Sequence, residues 1–169
     1  AAPTSGPIAA ERITNGGLED ETPKNPNSFE WMIADGVEPQ IGIDNAIRRS
    51  GNISLKVIFN NPDGKAFRTV SQTVVVKPGK TYTFETYGKT ELKTTATVKW
   101  EIVDATDGKT VLATTPAVAP MSDWTSLKAE FTVPKSTEAV LIRLVRVPCG
   151  TPVCPVSGRL WFDDFSLNG

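Results

Sequence analysis

The stretch GRLWFDDFSLNG, residues 158–169, decides how this chain must fold. Read at the two-residue period of a strand, Trp161, Asp163, Phe165 and Leu167 share one face, and Asp164 points the other way. An acid thus stands in line with three large apolar side chains. Burying a carboxylate is costly unless a partner meets it, so the stretch predicts a strand with an inward acid that something must satisfy.

The same period runs through most of the chain. NISLKVIF (52–59) alternates Ile53, Leu55, Val57 and Phe59 against Ser54 and Lys56. TYTFETY (81–87) sets Tyr82 and Phe84 against Thr83, Glu85 and Tyr87. TATVKWEIVDA (95–105) groups Ala96, Val98, Trp100 and Ile102. SLKAEFTVP (126–134) and the apolar AVLIRLVRV (139–147) follow. Between them lie turn signals: NPDG (61–64), KPGK (77–80), TDGK (106–109) and a loop rich in Ala, Thr and Pro over 113–123. No helical period is sustained, although a short turn fits near 43–49. Eight or more short strands without an internal repeat predict an all-β protein, a two-sheet antiparallel β-sandwich of the jelly-roll type. Residues 11–169 read as one module preceded by a linker or processed end over 1–10, and the module reads as part of a larger protein.

Composition narrows the chemistry. Lys and Arg number 18 against 19 Asp and Glu, so no field draws in a polyanion and nucleic acid is excluded as a partner. No apolar run reaches the roughly 18 residues of a membrane helix, which excludes insertion of that kind. The chain has no histidine, which removes Ser-His-Asp and Cys-His systems and most transition-metal sites. The two cysteines, Cys149 and Cys154 in VPCGTPVCP, are either a disulfide across a tight loop or two free thiols. A disulfide would imply an oxidising compartment.

The ordered set ITNGGLED (13–20), Trp31, SGNISLKV (50–57), QTVVVKPGKTYTF (72–84), DWTSLKAEFTVP (123–134) and WFDDFSL (161–167) resembles the jelly-roll carbohydrate-binding modules of the galactose-binding-domain-like group that contains families four, nine and twenty-two. The resemblance spans residues 11–168. It implies a non-catalytic module of a secreted or cell-envelope protein, extracellular or periplasmic, that binds a polysaccharide or oligosaccharide and contacts other domains of its parent chain. It also implies a structural calcium ion held by Glu19, Asp163 and the backbone carbonyl near Asn52. Such an ion would meet the inward acid. Arg48 and Arg49, standing where some members carry an acidic ligand, offer an alternative: a guanidinium or backbone amides that satisfy Asp163 directly. The resemblance further places Trp124 and Trp161 in the core.

Sugar recognition needs outward aromatics and a few oriented polar groups. Trp100 shares a face with Val98 and Ile102 and is excluded. Tyr87 and Trp31 remain as candidate platforms, with Glu85, Lys99, Glu101 and Arg143 as candidate polar partners. Because Arg143 and Arg146 fall on opposite faces of one strand, one of them must be partly covered and paired. Two other readings keep the fold: a structural or protein-contact domain without sugar binding, and a polysaccharide-cleaving enzyme. Against the enzyme, Asp163 and Asp164 alternate to opposite faces and cannot act as a pair.

Overall fold

The structure, a computed structural model, describes residues 32–33, 39–44, 46–49, 54–61, 69–93, 97–147 and 156–169. Trp31, Glu19, Asn52, Cys149 and Cys154 lie outside the described residues. In chain order the strands are β1 (Met32–Ile33), β2 (Gln40–Asp44), β3 (Ser54–Asn61), β4 (Val70–Val75) and β5 (Thr81–Leu92). They continue with β6 (Thr97–Asp104), β7 (Val111–Thr114), β8 (Met121–Thr132), β9 (Ala139–Val147) and β10 (Val156–Asn168). Five form a first sheet in the order β1-β4-β9-β6-β7, and five a second in the order β2-β3-β10-β5-β8. Every pairing is antiparallel. This is the expected two-sheet jelly-roll sandwich.

Alternation builds the core. Leu55, Val57 and Phe59 from β3, with Tyr82 and Phe84 from β5, are buried against Val98, Trp100 and Ile102 of β6 and Val140, Ile142 and Leu144 of β9. Trp100 is the hub: it meets Phe162 edge-on at 5.3 Å and Phe165 at 5.1 Å, with Phe84 tilted at 6.2 Å. Each such contact adds about 0.5–1.5 kcal/mol beyond the buried area. The chain passes from the first sheet to the second at KPGK, where Lys80 N–H donates to the Lys77 carbonyl at 3.2 Å and Gly79 takes φ 79°. A type II turn requires that positive φ, and Pro78 presets the residue before it.

The closing strand departs from the expected single-face reading. Leu160 and Phe162 enter the core, and so do Phe165 and Leu167, which are separated from the first pair by three positions rather than two. Asp163 lies opposite Tyr87 and Ser166 opposite Glu85, so three residues of β10 match two of β5. The extra residue is Asp164, in the left-handed region at φ 53°. This β-bulge reverses the alternation. Trp161 and Asp163 therefore lie on the outer face of the second sheet, away from Phe165 and Leu167.

Two more expectations change with it. Trp161 is 2% exposed, but it is buried over that outer face and not between the sheets. Trp124 is half-buried and outside the core cluster, because β8 begins at Met121 and alternation groups Trp124 with outward Ser126 and Lys128. The strand β7 runs into the stretch 113–123 whose composition reads as loop, at Ala113 and Thr114, since its four residues are too few to show a period, and β8 begins inside that stretch at Met121.

Candidate functional site

A sandwich offers two outer faces, and in this chain they differ. The second sheet is partly covered by the chain itself. Asp44, at the end of β2, accepts a hydrogen bond from the Trp161 indole at 2.9 Å and bonds from the Ala46 and Ile47 amides at 2.7 and 3.2 Å. Burial opposes its charged form, but the Trp161 bond, these amides and Lys56 outweigh it and hold the carboxyl below the usual range. Ser54 Oγ then donates to the Ile47 carbonyl at 2.5 Å. The Arg49 amide donates to Asp163 Oδ2 at 3.1 Å, and its guanidinium pairs with Asp164 at 2.6 Å. That guanidinium also lies 3.5 Å from the centre of the Tyr87 ring. Asp44 and residues 46–49 thus strap the outer face beside the bulge, and Ser54, Trp161 and Asp163 are buried although they point away from the core.

The first sheet presents a cross-strand row. Ser71 of β4, Arg143 of β9, Glu101 of β6 and Thr114 of β7 stand side by side in register. Arg143 donates from Nε at 2.8 Å and from Nη2 at 2.7 Å to Glu101 Oε1. Both side chains are largely shielded, 28% and 12% exposed, so the pair is fixed in place. Two of the five guanidinium donors are used there, leaving others for a ligand. Half-buried Leu141 and Val145 flank Arg143 on β9, and Lys99 lies opposite Val145.

The candidate residues are therefore divided. Lys99, Glu101 and Arg143 come together on the first sheet. Glu85 and Tyr87 lie on the second sheet, on the opposite side of the molecule, because β5 and β6 belong to different sheets. Glu85 accepts from Ser126 at 2.5 Å and lies 3.7 Å from Lys128, and one face of the Tyr87 ring carries Arg49. Of the two strand arginines, Arg143 is the one paired with an acid. Trp31 immediately precedes β1, the edge strand of the first sheet, in the sequence. Ser71 and Thr114 escaped sequence reasoning because only the register reveals that they complete the row.

Asp163 meets its surroundings through backbone. Its two oxygens accept from the Arg49 amide and, at 2.8 Å, from the Asp164 amide. The Thr86 hydroxyl donates to its carbonyl at 3.1 Å. The expected opposition of Asp163 and Asp164 is corrected by the bulge, since backbone and side chain of the single residue Arg49 reach both carboxylates. Among the described residues no group of three His, Cys, Asp or Glu side chains gathers there or elsewhere.

A jelly roll whose outer sheet face carries a fixed row of hydrogen-bonding side chains defines the class: a sandwich-type binding module. The family model described as carbohydrate binding domain, that of families four and nine, matches residues 13–149, and the chain belongs to this family. No curated protein matches it. Among solved structures it is similar to the CBM22-1–GH10 modules of xylanase 10B from Clostridium thermocellum in complex with xylohexaose. That likeness has a TM-score of 0.59 and 18% identity, and covers 82% of this chain and 26% of that one. It is also similar to a family-four carbohydrate-binding module, with a TM-score of 0.60 and 19% identity over 91% of this chain and 97% of the other. A cyclase from Fischerella sp. TAU shares the fold too, with a TM-score of 0.65 and 17% identity over 92% and 94%. At these identities the likenesses establish the fold alone.

Proposed function

We propose that the protein binds a neutral glycan chain across the outer face of its first sheet, without catalysing a reaction on it, in an extracellular or cell-envelope setting. The observation that carries this reading is the row Ser71–Arg143–Glu101–Thr114. Hydroxyls at both ends and a compensated ion pair in the middle suit a ligand rich in hydroxyls and free of charge. Membership of the carbohydrate-binding-domain family supports it. The strap formed by Asp44 and residues 46–49 over the other sheet favours this face over that of Tyr87.

Titration calorimetry against neutral oligosaccharides, xylohexaose included, tests the reading. Arg143→Ala is expected to weaken binding roughly tenfold, the scale of one lost charged hydrogen bond, while Tyr87→Ala leaves it within about twofold. Binding that survives Arg143→Ala and disappears with Tyr87→Ala would move the site to the second sheet. Release of reducing ends from the polysaccharide would overturn the non-catalytic part.

A structural calcium ion at Asp163 belongs to the same reading. Its support is a fully buried carboxylate beside a second one that already holds the Arg49 guanidinium. Glu19 and the carbonyl near Asn52 would complete the oxygen shell. At a hundredfold excess over its dissociation constant, calcium would add about 2.7 kcal/mol, or roughly 5–10 °C in Tm for a chain of this size. Asp163→Asn is expected to abolish that rise. A Tm that neither calcium nor chelator changes would dismiss the ion.

A further inference from the structure

We infer that the second sheet holds a separate binding site, at the end away from the strap, for a glycan that bears carboxylate groups. A cleft of about 640 Å³ opens there, inside the ~300–1,000 Å³ range of ligand sites. Its floor is another cross-strand row: Ile58 of β3, Arg159 of β10, Glu91 of β5 and Met121 of β8. The centre is rigid, because Arg159 donates to Glu91 at 2.9 Å and its guanidinium lies 5.7 Å from the Trp161 ring centre. The two ends are apolar, with Ile58 half-buried and Met121 70% exposed. Where the first sheet's row ends in hydroxyls, this one ends in surfaces for the C–H face of a sugar ring.

Charge selects the ligand. On this outer face Lys56, Lys89, Lys128 and Arg159 lie 3.6, 3.4, 3.7 and 2.9 Å from Asp44, Asp123, Glu85 and Glu91. Lys93, exposed at the cleft rim, has no acidic partner among the described residues. Its backbone is anchored, since its amide donates to the Ser157 carbonyl at 2.9 Å. Among the described residues that line the cleft, Lys93 and Arg159 against Glu91 leave one positive charge, in a chain whose formal net charge is −1. The positive field is therefore local, and a single carboxylate between Lys93 and Arg159 neutralises it.

The test titrates the protein with tetragalacturonate and with its methyl ester, which keeps the sugar and removes the charge. The acid is expected to bind about two- to fivefold more tightly, the scale of one exposed ion pair, and less tightly as salt rises. Lys93→Glu should weaken the acid about tenfold by like-charge repulsion and leave the ester unchanged. Met121→Ser should weaken both, and Arg143→Ala neither. Equal affinity for acid and ester, indifference to Lys93→Glu, loss with Arg143→Ala, or no binding at millimolar ligand would each overturn the inference. Because the two sites share no residue, failure of neutral-glycan binding on the first sheet leaves this result readable on its own.

Discussion

Insertion of one alanine between Asp164 and Phe165 is expected to unfold the protein or to cost it about 4–6 kcal/mol. With Asp163 kept opposite Tyr87 and the bulge holding one extra residue, the inserted alanine takes the inward place of Phe165 and sends Phe165 and Leu167 to the outer face. Both are 5% exposed in the sandwich, and each forfeits roughly 1.5–3 kcal/mol of burial. Trp100 also loses its edge contact with Phe165, and Phe84 its tilted one at 6.4 Å. Set against a total stability of about 5–15 kcal/mol, that loss removes much of the folded population, which urea unfolding followed by tryptophan fluorescence would read. Asp164→Asn is the control. Asparagine tolerates the left-handed backbone, and only the half-exposed pair with Arg49 is lost, so a change within about 1 kcal/mol is expected. An insertion variant as stable as the parent would mean that the bulge does not set the register of β10.

The bulge also marks how far alternation can be read from sequence. Period two is a property of paired strands, and it located the cores of β3, β5, β6, β8 and β9 because their apolar residues keep step throughout. In β10 the two aspartates break the step, and no one-dimensional rule says whether an acid between apolar residues faces inward or marks an inserted position. The partner strand decides, since β5 supplies two residues where β10 supplies three. Trp161 and Trp124 illustrate the same limit. Both are large and apolar, so residue type predicts burial between the sheets, yet the register of their strands turns them outward. Trp161 is then covered by contacts such as its bond to Asp44, 117 positions away in the chain. Sheet membership was equally hidden: β5 and β6 are adjacent in sequence, which made Glu85 and Lys99 look like neighbours, but they lie in different sheets.

The two outer faces repeat one device and finish it differently. Each sheet sets an Arg beside a Glu across neighbouring strands, Arg143 with Glu101 and Arg159 with Glu91. On the first sheet the pair is shielded, flanked by hydroxyls and electrically closed. On the second it is more exposed, flanked by Ile58 and Met121, and lies beside Lys93, a cation with no acidic partner among the described residues. An ion pair held by its strands is a preorganised set of donors, so little ordering cost remains when a sugar arrives. What differs is the chemistry at the ends of each row, and that difference separates the neutral ligand proposed for one face from the acidic ligand inferred for the other.

Gly158→Ala is expected to destabilise the protein by about 3–5 kcal/mol and to lower its Tm by roughly 10 °C. Gly158 stands between Val156 and Leu160, both in the core, at φ 124°, a conformation that L side chains rarely adopt. A Cβ added there would stand 2.3 Å from the Glu91 carbonyl oxygen and 2.6 Å from the Leu92 Cα. Both obstacles are backbone of the central strand β5, which is held by β10 on one side and β8 on the other, so neither can give way as a flexible side chain would. Strain and overpacking therefore add. Gly42 supplies the contrast within the same sheet: its backbone needs no positive φ and an added Cβ meets nothing within 4 Å. Gly42→Ala should be neutral or slightly stabilising through the unfolded chain. The pair separates a specific backbone demand from a general cost of replacing glycine in a strand. Equal effects of the two substitutions would show that β5 and β10 are not packed this closely at Gly158, and the floor proposed for the acidic cleft would lose its rigid support.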